Sequence, residues 1–233
     1  MPTLRLEKIA KIYKDKSRNT TAILDIDLTI EQGEFVFITG SRGAGKSTLM
    51  EIISGDLKPD RGAVYLDNVN LSRTGKRQAE KLRQCMGMVM QDSELIRTET
   101  VMRNLMPRSG LDFFRRKMDG SQVSKALALV GMAGCEEKYP REIPSSDCRR
   151  IELARAIMNS PDILLLDDLT DRMDEDAIWD TIHLLTELNK HGTTVIMATT
   201  AVKVVNIMRK RVITLSDGKV VGDVRKGKYG YIV

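Results

Sequence analysis

Residues Gly40 to Thr48 read GSRGAGKST, which fits the pattern G-x-x-x-x-G-K-[ST]. The run before it, EFVFIT (Glu34 to Thr39), is apolar, aromatic and β-branched, and so predicts a buried strand. The run after it, STLMEIISG (Ser47 to Gly55), carries apolar Leu49, Met50, Ile52 and Ile53 and stops at a glycine, as a helix does. A glycine-rich bend between strand and helix turns successive backbone N–H groups toward one point, and the helix N-terminus adds positive potential there. Gly40, Ser41, Arg42, Gly43, Ala44, Gly45, Lys46, Ser47 and Thr48 therefore form a phosphate cradle for a nucleoside triphosphate. Lys46 reaches the β/γ-phosphates in such a loop, and the Ser47 hydroxyl ligates Mg²⁺.

Bulk properties narrow the class. A chain of 233 residues suffices for one sizeable α/β core, and 42% hydrophobic with 30% charged residues is ordinary for a globular protein. Lysine and arginine total 37 against 32 acidic residues, for a net charge of +5. That excess is mild and dispersed, so no nucleic-acid partner is expected. Cys85, Cys135 and Cys148 lie far apart without C-x-x-C spacing, which argues for reduced thiols rather than zinc or disulfides. No apolar stretch approaches the ~18 residues of a spanning helix, and MPTLRLEKIAKIYK lacks the apolar centre of a secretion signal. The expected location is cytoplasmic, peripheral on the inner face of the cell membrane only through a partner.

Strand-like runs open the chain at Leu4 to Ile9 and Ala22 to Ile30. KPDRG (Lys58 to Gly62) is a turn, AVYLDNVNL resumes strand character, and MGMVMQD (Met86 to Asp92) is an apolar strand ending in a polar pair. The methionines of MGMVM read as core filler. Residues 92–159 change texture and read helical, in TVMRNLM before Pro107, SQVSKALALVGM, and DCRRIELARAIMN with Ile151, Ala154 and Met158 on one face. DILLLDD is a buried strand. The following helix turns Ile178, Ile182, Leu185 and Leu188 inward, with His183 partly buried on it and His191 at its end. TTVIMATT is another strand, and VITLSDGKVV a hairpin turning at Asp217–Gly218. The prediction is a single domain over 1–233. It has an α/β P-loop NTPase core (about 1–91 and 160–233) with a mostly parallel sheet, an antiparallel β subdomain, and an inserted helical subdomain (about 92–159).

In the order of its motifs the chain resembles the nucleotide-binding subunit of ABC transporters along nearly its whole length. Within that family it is most similar to the FtsE branch of cell-division ATP-binding proteins, through its SxGAGKST loop, "RxxxGMVMQD" and closing "TLSDG". The resemblance implies that Tyr13 stacks on adenine, although an aromatic at a strand end also serves as packing. It implies that Gln91 is the glutamine that reaches Mg²⁺ and the attacking water, and that Asp167, at the end of ILLLD, holds Mg²⁺. An exposed strand-end aspartate is the bland alternative for Asp167.

Three hydrolysis devices of the family are altered. Aligned on ARAI (Ala154 to Ile157), the LSGGQ-type signature falls on Ile143, Pro144, Ser145, Ser146 and Asp147. In the family this stretch caps the γ-phosphate held by the other subunit. Pro144 offers neither hydroxyl nor N–H for that purpose, and Ser145 and Ser146 add Cβ atoms where glycines stand. The family's catalytic glutamate is Asp168, one methylene shorter, and its switch histidine is Thr200. Leu169 replaces a proline, and the loop DRMD (Asp171 to Asp174) keeps the final aspartate.

The resemblance thus implies ATP and Mg²⁺ as cofactors, preserved nucleotide capture and slow hydrolysis, with Asp168, Lys46 and Thr200 as the catalytic set. It further implies an FtsX-like transmembrane permease as partner, and a homodimer or a dimer with a related ABC subunit. The alternatives are a non-hydrolysing nucleotide-dependent scaffold, and the ATPase of a lipoprotein-release or macrolide-export transporter.

Overall fold

The computed structural model describes residues 3–14, 19–71, 73, 85–92, 95–106, 120–171 and 173–230. Arg83 and Gln84 of the "RxxxGMVMQD" stretch, Pro107, and Arg172 of the DRMD loop lie outside the described residues. Two sheets organise the chain. β1 (Leu4–Lys14), β2 (Asn19–Ile30), β4 (Arg61–Leu66) and β5 (Val69–Asn70) form an antiparallel sheet in the order β2-β1-β4-β5. β3 (Phe35–Thr39), β6 (Met86–Val89), β7 (Ile163–Asp167), β8 (Thr194–Ala198), β9 (Arg211–Ser216) and β10 (Lys219–Val224) form the second, in the order β10-β9-β3-β8-β7-β6. It is parallel except for edge strand β10, which returns antiparallel on β9.

The three central strands are buried at every position, which is why they read as unbroken apolar runs. Their side chains alternate between two cores. Phe35, Phe37, Leu164, Leu166, Val195 and Met197 face one, and Val36, Ile38, Ile163, Leu165, Ile196 and Ala198 the other. The first core is covered by α2 (Val101–Leu105), α3 (Gly120–Leu129), α4 (Ser145–Ile157), α5 (Glu175–Lys190) and α6 (Val202–Met208). The second is covered by α1 (Lys46–Ser54) and the antiparallel sheet. Phe37 is wholly buried and tilted 5.1 Å from Phe35. Truncating it to alanine costs about 3–5 kcal/mol.

Several expectations need correction. AVYLDNVNL is a hairpin, not one strand: Leu66 pairs with Val69, and Asp67 takes a left-handed φ of 53° in the turn, a conformation aspartate tolerates better than most residues. His183 is exposed on α5, not partly buried, because the face turned inward holds Ala177, Thr181, Ile182 and Leu185. Ile178 and Leu188 only flank that core. Ile151 and Ala154 of α4 do share one core, and Met158, the C-cap of α4, packs against it, as the sequence reading expects. α6 has no counterpart in the sequence reading. The Asp217–Gly218 hairpin and the packing role of Met86, Met88 and Met90 agree with the sequence reading.

Candidate functional site

The carboxyl ends of β3, β7 and β8 lie side by side, where ligand chemistry collects in open parallel sheets. Thr39 ends β3 and the bend begins at Gly40. A Cβ there would meet the Leu215 carbonyl oxygen at 2.3 Å, and one on Gly45 would meet that of Ala22 at 2.5 Å. Gly45 also takes φ 101° as the N-cap of α1. The first turn of α1 holds no acidic residue, so its positive end is left uncancelled for an anion.

Lys46 is buried and curls back across the bend, its Nζ donating to the carbonyls of Gly40 at 2.9 Å and Ser41 at 3.0 Å. Two more elements brace the bend. At the tip of the β9–β10 turn, the Gly218 N–H donates to Ala44 O at 3.2 Å while its carbonyl accepts from Leu24 N at 2.8 Å. The Tyr229 hydroxyl donates to Gly40 O at 3.3 Å. Neither brace was foreseen, since each joins segments remote in sequence.

Ser47 Oγ donates to Gln91 Oε1 at 3.4 Å, so the first turn of α1 meets the segment after β6. Asp167 ends β7 only 1% exposed, and neither carboxylate oxygen meets a hydrogen-bond partner among the described residues. The bland reading of an exposed aspartate is therefore corrected. Burial raises its pKa. The Ser47 hydroxyl pulls the other way although it donates to Gln91, Asp168 raises the pKa further, and Lys46 and Arg149 lower it. A buried, unpartnered carboxylate beside a hydroxyl and an amide oxygen is an all-oxygen donor set. That suits Mg²⁺, which takes one or two carboxylates and completes its shell with phosphate and water.

Asp168 is half-buried at φ 45°, its N–H donating to Ala198 O at 3.0 Å. Thr200 is exposed just beyond β8, whereas its neighbour Thr199 is buried and accepts from Ala201 N at 3.0 Å. Tyr13 is 43% exposed near the end of β1, with its hydroxyl 3.4 Å from Thr48 Oγ1. That leaves a ring face open at the edge of the loop. Ser41 and Arg42 are exposed on the bend.

Pro144 is the N-cap of α4, and Ser145, Ser146 and Asp147 form its first turn. A cavity of about 460 Å³ brings Ser145 together with Gln91, Asp168 and Arg149. Arg149 is a functional candidate absent from the sequence reading. It is buried, and its guanidinium bonds Met90 O, Asp167 O and the Glu152 carboxylate. No sequence signal marks it, because Met90 O and Asp167 O are backbone carbonyls.

The fold and this site define a nucleotide-binding cassette. The chain belongs to the ABC transporter family, whose profile matches residues 23–171. It is 34% identical over 231 residues to the cell division ATP-binding protein FtsE of Streptococcus pneumoniae serotype 2, covering 99% of each chain. With FtsE of Bacillus subtilis strain 168 it shares 32% identity over 223 residues, 96% of this chain and 98% of that one. Among solved structures it is similar to the ATP-binding cassette MJ0796, described as a dimeric post-hydrolysis state bound to ADP and Pi. That likeness has a TM-score of 0.88 and 30% identity, over 97% of this chain and 100% of the other.

Proposed function

We propose that the chain is the ATP-binding subunit of an FtsE–FtsX-like complex at the inner face of the cytoplasmic membrane, coupling ATP binding and slow hydrolysis to a transmembrane partner in cell division. The observation that carries this reading is the juxtaposition of Lys46 and Ser47 with Asp167. An ammonium, a helix N-terminus and a hydroxyl converge beside a buried carboxylate that meets no hydrogen-bond partner among the described residues.

In this reading Lys46 leaves the Gly40 and Ser41 carbonyls for the β/γ-phosphates, and the backbone N–H groups from Gly43 to Thr48 cradle the rest. Tyr13 offers its open face to the base. Ser47, Gln91 and Asp167 hold Mg²⁺, which neutralises charge developing on the phosphates. Asp168 accepts the proton of the attacking water, and Thr200 donates one hydrogen bond toward the γ-phosphate. Ser145, Ser146 and Asp147 face the nucleotide of a second subunit, in a homodimer or with a related ABC subunit. An FtsX-like transmembrane permease seats a cytoplasmic helix in the cavity between Gln91 and the start of α4.

A second reading, a nucleotide-dependent scaffold without turnover, is favoured by Pro144 as the cap of α4, which supplies no N–H and no hydroxyl. Calorimetry with ATP and Mg²⁺, followed by phosphate release against a Lys46→Ala control, separates the two. Binding with release above the control supports the ATPase, and binding without release supports the scaffold. Absence of binding refutes both. Co-purification from membranes tests the partner.

A further inference from the structure

We propose that Arg149 is a positioning residue that sets the geometry of Gln91, Asp167 and Asp168 and ties all three to the helix carrying Ser145 to Asp147. The proposal rests on the nucleotide-binding reading above for its functional consequence, but its structural content stands apart from it.

The β6–β7 ladder ends at the pair Val89 and Leu166. Beyond that pair the two strand ends have no ladder pairing with each other among the described residues, yet they carry the residues on which the site depends. Arg149 takes over at this point. Its Nη1 donates to Met90 O at 2.6 Å, directly before Gln91, and its Nη2 to Asp167 O at 2.9 Å and Asp168 O at 3.4 Å. One planar guanidinium thus fixes carbonyls on both strand ends, which the single point charge of a lysine cannot span.

Asp168 shows why this matters. Its φ of 45° is a left-handed conformation, held by three bonds: its N–H to Ala198 O, and its carbonyl from Arg149 Nη2 and Asp171 N. Strained residues persist where their surroundings over-determine them. Arg149 supplies one of those constraints, and so helps aim the Asp168 carboxylate. Its charge is balanced by Glu152, only 2% exposed and 2.9 Å from Nη1, so the guanidinium is buried without leaving an unpaired ion. Because Arg149 lies one turn beyond Ser145 to Asp147, any turn of α4 about its axis pulls on both strand ends.

The test uses the full chain. Arg149→Gln combined with Glu152→Gln removes both charges and leaves no buried ion behind, and Arg149→Lys keeps charge without the fork. In nucleotide-free protein, amide exchange over residues 90–92 and 167–171 is expected to accelerate at least tenfold in the double variant, while α5 keeps its protection. With ATP, the dissociation constant at saturating Mg²⁺ should change less than threefold. The Mg²⁺ needed for half-maximal binding should rise several-fold, and phosphate release should fall at least tenfold with KM unchanged. Arg149→Lys should recover less than half of each effect.

Wild-type exchange at those residues together with a wild-type Mg²⁺ requirement overturns the proposal. If the wild type binds no nucleotide, the functional reading fails and exchange alone decides the role of Arg149. If it binds without turnover, exchange and the Mg²⁺ requirement decide. Should the double variant not fold, Arg149→Lys carries the same measurements, and wild-type behaviour in it refutes the need for a fork.

Discussion

The backbone amide of Asp168 donates to the carbonyl of Ala198 at 3.0 Å. This bond sets the end of β7 beside the end of β8, so Asp168 and Thr200 emerge from adjacent strands. The two positions to which the proposed function gives the attacking water and the γ-phosphate contact thus share one corner of the candidate site.

Restoring that corner should restore rate. Asp168→Glu with Thr200→His is expected to raise phosphate release on the order of ten- to a hundredfold, because a displacement near 1 Å costs about that much. The left-handed φ at Asp168 suits aspartate better than glutamate. The variant should therefore melt a few degrees lower, about 2–4 °C for each ~1 kcal/mol in a chain of this size. Phosphate release and thermal denaturation of the same preparation check both halves.

Removing the charge at Asp167 should stabilise the nucleotide-free chain while weakening its Mg²⁺-dependent grip on ATP. Burial raises the Asp167 pKa above the ordinary 3.8, so the unfolded chain loses that proton first. As pH rises through the window that starts near 3.8, the group takes stability away. Asp167→Asn abolishes that loss, and its melting temperature at neutral pH should exceed the wild type's by roughly 2–4 °C per kcal/mol relieved. ATP affinity in the presence of Mg²⁺ should fall at least tenfold. A lower melting temperature contradicts the assignment of an unpartnered buried carboxylate.

Two glycines of the loop should differ in tolerance. Gly45 has φ 101° and its Cβ direction points at the Ala22 carbonyl oxygen, 2.5 Å away, while at Gly43, with φ 81°, a Cβ meets nothing within 4 Å. Gly43→Ala should cost about 1–2 kcal/mol from backbone strain alone. Gly45→Ala adds a clash with backbone and should cost on the order of 3 kcal/mol or more. Urea denaturation of the pair measures the difference.

The thiols offer a pH-dependent check. Burial first, then the nearby carboxylates of Glu152 and Asp147, raise the Cys148 pKa above 9.0, and burial chiefly does the same for Cys135. Since the thiolate is the nucleophile, labelling by iodoacetamide at pH 7 should be slow at both, rising about tenfold per pH unit. Mass spectrometry of the labelled chain at several pH values follows each site. Fast labelling of Cys148 at neutral pH contradicts its placement.

The phosphate loop was legible because its chemistry is local. Nine consecutive residues specify the bend, and the central strands beside it are buried on both faces and so apolar except at their ends. The β4–β5 hairpin was missed because its turn is Asp67–Asn68, without the glycine that usually marks such a turn. α6 is seven residues long with no side-chain cap, too short for a periodic signal. Arg149 was illegible because its acceptors are carbonyls 59 and 18 residues away, and a carbonyl leaves no mark in a sequence. The inward face of α5 was displaced because Thr181 is buried, which a purely apolar pattern overlooks.

The bend from Gly40 to Thr48 is translated early, but its braces arrive late. Gly218 holds Ala44, and Tyr229, 189 residues downstream, holds the Gly40 carbonyl. Closing so long a stretch of chain is slow compared with forming α1. A nascent chain in which Gly218 and Tyr229 have not yet been made therefore carries the whole motif without its support, and the bend takes its braced shape only after that later segment has folded back onto it.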